Sequence, residues 1–94
     1  MRIPRQLLVK DQIYSVRFVK NLPDEIKGTT IGLCCAETQT IYIKQGLSKA
    51  ERVSTFFHEL LHAIEFEFEF DMPHKLIYRL EGPLAQVIVD NLAG

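Results

Sequence analysis

Residues 12–20 (Gln-Ile-Tyr-Ser-Val-Arg-Phe-Val-Lys) alternate apolar with polar for several positions and are rich in β-branched and aromatic side chains, which predicts a strand. Residues 21–28 carry Pro23 and Gly28 and read as a loop, with Leu22 and Ile26 tucked beneath it. A second strand is expected over 30–36, a tight turn at Glu37-Thr38-Gln39, and a third strand over 40–44. Residues 30–44 should therefore form an antiparallel hairpin, ended by Gln45-Gly46.

The period then changes. Ser48 followed by Glu51 has the form of a capping box, and Val53, Phe57, Leu60, Leu61 and Ile64 follow at helical spacing as one buried stripe. Phe56 lies off that stripe. Residues 65–70 (Glu-Phe-Glu-Phe-Glu-Phe) alternate like a strand but directly extend a helix, so the helix is expected to run to about residue 67 and give way to irregular structure. Asp71-Met72-Pro73 is a break, with Pro73 suited to a first helical turn. From His74 to about Asn91 the pattern is helical again, with Leu76, Ile77, Leu80, Leu84, Val87 and Ile88 apolar. Pro83 cannot donate to the carbonyl of Arg79, so either the helix kinks there or a new one begins.

Composition narrows the classes. Ninety-four residues make one domain, and 47% hydrophobic with 24% charged residues marks a globular chain. A net charge of −1, with scattered basic residues, leaves no footprint for nucleic acid or an anionic membrane. No apolar run approaches the roughly 20 residues of a membrane span. The N-terminal Met1-Arg2-Ile3-Pro4-Arg5-Gln6 is too polar and broken for a signal peptide. Adjacent Cys34 and Cys35 bridge only with strain and read as reduced thiols in a strand, which fits a cytoplasmic location.

The chemistry concentrates at His58-Glu59-Leu60-Leu61-His62, an H-E-x-x-H motif inside the first helix. Residues four apart lie on one helix face, so both imidazoles can hold one zinc ion, and Glu59 can act as general base without being a ligand. A zinc site that does chemistry needs a third protein ligand, better supplied by another element. Glu65 is on the same helix and would have to fold back. Glu81 is a charge among apolar neighbours, costly to bury unless paired or metal-bound. On a continuous helix His74, Tyr78, Glu81 and Ala85 share one face, which makes His74 the rival ligand. The structural alternative for Glu81 is to stabilise the Gly82-Pro83 break.

The H-E-L-L-H motif followed on a second helix by a glutamate resembles the gluzincin metallopeptidases. The short strand–hairpin–helix–helix layout looks like their minimal members, the minigluzincins. It is also similar to small phage-encoded proteins related to the ImmA/IrrE metallopeptidases, in which a segment like Arg79–Ile88 follows the motif helix and Asp90-Asn91 follows in turn. The likeness covers roughly residues 30–92. It implies that His58, His62 and Glu81 bind zinc, that Glu59 is the catalytic glutamate, and that an edge strand of the hairpin seats an extended peptide. Where some gluzincins carry an aspartate that orients a zinc-bound histidine, four residues beyond the glutamate ligand, this chain has Ala85.

The expectation is thus an α+β, zincin-like domain spanning residues 1–94, with a three-stranded, mainly antiparallel sheet packed on the H-E-x-x-H helix and a glutamate-bearing helix after it. Its function would be zinc-dependent hydrolysis of a peptide or protein substrate. Glu59 would pass a proton from water to the leaving amine, and Tyr78, ahead of His74 and Tyr42, would stabilise the oxyanion. The alternative of another class is a zinc-stabilised binding or regulatory module with little turnover, or a latent peptidase with a terminal segment over the zinc.

Overall fold

The computed structural model describes residues 2–23 and 30–92; Ile26 and Gly28 of the expected loop lie outside them. Four strands, β1 (Gln6–Val9), β2 (Gln12–Val19), β3 (Gly32–Cys35) and β4 (Thr40–Lys44), precede two helices, α1 (Lys49–Glu67) and α2 (His74–Leu92). No helix among the described residues is long and apolar enough to cross a membrane.

The class is α+β, but the sheet differs from the expected three mainly antiparallel strands. It has four strands in the order β1-β2-β4-β3 and is mixed. The hairpin β3–β4 is antiparallel, with Cys35 opposite Thr40, while β4 lies parallel to β2, with Ser15 opposite Thr40. The extra strand, β1, is antiparallel to β2 through a two-residue turn at Lys10-Asp11, with Val9 opposite Gln12. Such turns usually advertise themselves with Asn-Gly or Asp-Gly. Here Lys10 takes the left-handed conformation (φ 58°) instead. Its ammonium lies 5.7 Å from the Phe68 ring centroid, a contact no local pattern reveals.

Helix α1 starts as its sequence specifies. The Ser48 hydroxyl accepts from the Glu51 N–H and the Glu51 carboxylate from the Ser48 N–H, each at 3.1 Å. Val53, Phe57 and Leu61 are buried, and so is Phe56, which joins Tyr14, Val16, Ile41 and Ile43 in the core between α1 and the sheet. The Tyr14 hydroxyl, reaching from β2, donates to Glu67 at 2.6 Å and ties the sheet to the end of α1.

The Glu-Phe repeat resolves as helix to Glu67, closed by a Schellman-type end. Glu69 adopts φ 57°, its N–H reaches the Phe66 carbonyl at 3.4 Å, and the Phe70 N–H reaches the Glu65 carbonyl at 3.1 Å. The helix thus ends where the sequence put it, at about residue 67, although the left-handed position carries Glu69 rather than the usual glycine. Pro73 stands just before α2, its carbonyl accepting from the Leu76 N–H at 2.8 Å. Helix α2 runs through Pro83 as one element, with Ile77 and Ala85 buried.

Candidate metal centre

The site is a cleft of about 700 Å³ lined by α1, α2 and the edge strand β3. Its walls include Ile31–Cys34 on the β3 side, His58, Glu59, His62 and Phe66 from α1, and His74, Tyr78 and Glu81 from α2. The volume is in the range of small-ligand and peptide clefts.

One ligand atom from each of His58, His62 and His74 lies within 4.8 Å of the others. His58 is held from both ends. Its Nδ1 is 3.0 Å from Glu81 Oε2, and its Nε2 is 3.2 Å from His74 Nε2. His62 repeats half of that arrangement, with its Nδ1 2.9 Å from Glu65 Oε1, which leaves Nε2 for another partner. Two nitrogens bound to one tetrahedral zinc through bonds of 2.0–2.1 Å stand about 3.3 Å apart. The His58–His74 separation matches that spacing without any rearrangement. Carboxylates on the Nδ1 atoms fix the tautomer that presents Nε2 as a lone pair. Burial also holds His58 below its ordinary pKa, although Glu81 pulls the other way, so the neutral, metal-binding form is favoured.

The geometry thus brings together the two motif histidines and His74. Glu81 reaches the same group from behind, at His58 Nδ1, and lies outside the converging set of nitrogens. Glu65, which shares α1 with the motif, is not a member of that set. Its spacing of three from His62 carries the hydrogen bond instead. Tyr78 does line the cleft, its ring centroid 4.9 Å from that of His58 and 4.8 Å from that of His74. Tyr42 is not among the lining residues.

Glu59 is buried, 7% exposed, and faces the cleft beneath β3. Desolvation, then the charge of Glu81, raises its carboxyl to about 7, against the pull of a hydrogen bond from the Cys34 N–H. Cys34 and Cys35 are unpaired thiols. Burial and the Glu59 carboxylate push the Cys34 thiol up to about 12, which disfavours its thiolate form.

Gly32 is the reason β3 can pass so close. A Cβ there would stand 2.5 Å from Thr55 Cγ2 and 2.9 Å from Glu59 Oε2. Thr55 is itself 5% exposed and β-branched, so it has no room to turn away. Gly32→Ala is expected to cost about 1–3 kcal/mol of stability through overpacking. Adding Thr55→Ser, which removes Cγ2, should recover part of it. Urea unfolding of the two variants and the double variant checks this; equal midpoints for wild type and Gly32→Ala would refute the close approach.

No protein-family model, curated protein or solved structure matches this chain.

Proposed function

We propose that the chain is a zinc-dependent peptidase of minimal zincin type, its metal held by the Nε2 atoms of His58, His62 and His74. The observation that carries this reading is the double engagement of His58: a carboxylate on Nδ1 at 3.0 Å and a second histidine's Nε2 at 3.2 Å from its own Nε2. A histidine merely packed in a protein core has no need of two further imidazoles. A metal site has, and carboxylates behind its ligands are its usual support. Glu81, the ligand implied by the gluzincin likeness, serves in this reading as the positioning carboxylate for His58.

When bound, zinc supplies a Lewis acid that polarises a carbonyl and makes water nucleophilic near neutral pH. The protein does the rest. Glu59, next to the ligands and shielded under β3, accepts the proton of the attacking water and returns it to the leaving amine. Tyr78, which lines the cleft, would donate its hydroxyl to the oxyanion. As the edge strand beside the cleft, β3 is where an extended peptide would add to the sheet as one more strand. Unpaired Cys34 and Cys35 fit a reducing, cytoplasmic setting.

The test is zinc uptake together with cleavage of unstructured protein and of a quenched-fluorescent peptide mixture. Chelation should abolish cleavage, and one equivalent of zinc should restore it. Protein that takes up zinc yet cleaves nothing would instead be a zinc-stabilised binding module. Protein that takes up none would overturn the metal centre.

A further inference from the structure

Glu65 receives three bonds that no other residue of the site combines. Its backbone carbonyl accepts from the Phe70 N–H at 3.1 Å. Its Oε2 accepts from the Met72 N–H at 2.6 Å, and its Oε1 lies 2.9 Å from His62 Nδ1. The carboxylate is largely enclosed, 13% exposed. The link it grips, residues 68–73, is exposed at Phe68, Glu69, Phe70, Asp71 and Pro73. The residue that follows this link is His74.

We propose that Glu65 is a positioning residue that couples the two halves of the metal centre. This rests on the three-histidine reading above. One oxygen sets the ring of His62, and the other pins the backbone that delivers His74. The two tasks need a carboxylate. Both partners are donors once His62 carries its proton on Nδ1, and an ionised carboxylate accepts at both oxygens. Glu81 performs only the first kind of task, at His58, and no backbone bond to the inter-helix link runs through it. Metal affinity and the order of the link are therefore joined at Glu65 and separate at Glu81.

The experiment compares wild type with Glu65→Ala, Glu65→Gln and Glu81→Gln. Zinc affinity is read by competition with a chromophoric chelator, and protection of the Met72 amide by hydrogen exchange in the metal-free protein. Glu65→Ala should weaken zinc about 10–100-fold, the usual effect of removing such a partner, and should also expose the Met72 amide. Glu65→Gln keeps one acceptor, so Met72 should stay protected while zinc affinity still falls, because an amide NH₂ cannot accept from Nδ1–H. Glu81→Gln should weaken zinc with Met72 protection unchanged. Wild-type zinc affinity in both Glu65 variants, beside a zinc-binding wild type, would overturn the coupling. A wild type that binds no zinc would overturn the metal centre itself, a different result.

Discussion

His74→Ala is expected to lose its metal, whereas Glu81→Ala should still take up one zinc per chain, held about 10–100-fold more weakly. The two residues stand on the same face of α2 and both touch His58, but at opposite nitrogens. His74 meets Nε2, the atom that faces the cluster, so its removal leaves two ligands from one helix. Glu81 meets Nδ1, so its removal frees the His58 ring without opening the ligand set. Metal analysis after dialysis against a weak chelator, followed by a competition titration, separates the two. Retention of zinc by His74→Ala with loss in Glu81→Ala would restore the glutamate as third ligand.

Glu59→Gln should leave zinc binding intact and lower peptide cleavage by about 10²–10⁴-fold, the range that a positioned proton-transfer group contributes. The amide keeps the size of the side chain and still accepts from the Cys34 N–H, so β3 and the cleft stay in place. What is lost is the ability to take and return a proton. Metal-free Glu59→Gln should also unfold at a higher temperature than wild type, because a carboxylate 7% exposed and near Glu81 is costly to keep ionised. A gain in stability with a loss of turnover is the usual mark of a functional rather than a structural group. Unchanged cleavage, or loss of zinc, would remove Glu59 from the role of proton carrier.

Much of the framework was legible residue by residue. The Ser48–Glu51 capping box, the stripe through Val53, Phe57 and Leu61, and the hairpin of β3 and β4 all follow from local spacing, because each is completed within a few residues of chain. β1 was not legible. Four residues, Gln6–Val9, are too few to show a period, and their turn depends on Lys10 in a left-handed conformation beside Phe68, far away in sequence. The parallel pairing of β2 with β4 was hidden for a similar reason, since adjacency in a sheet is decided by which strands the whole chain can bring together. The end of α1 falls at Glu67, where the Glu-Phe repeat and the following break put it, although the bonds of Glu69 and Phe70 that hold the stop carry no glycine signal.

By itself the sequence determined that two histidines and a glutamate share one helix, since a spacing of four closes on one face wherever that helix lies. It likewise placed His74, Tyr78 and Glu81 on a common face of α2. Only the tertiary structure decided which of them meets the His58 ring at Nε2 and which at Nδ1. His74 and Glu81 are seven residues apart, about 10 Å along a helix axis at about 1.5 Å per residue. The choice therefore depends on how far α2 is slid along α1. That stagger is set by the six-residue link at 68–73, by its anchor on Glu65, and by the seating of Ile77 and Ala85. These are contacts between distant parts of the chain, and no window of local sequence contains them.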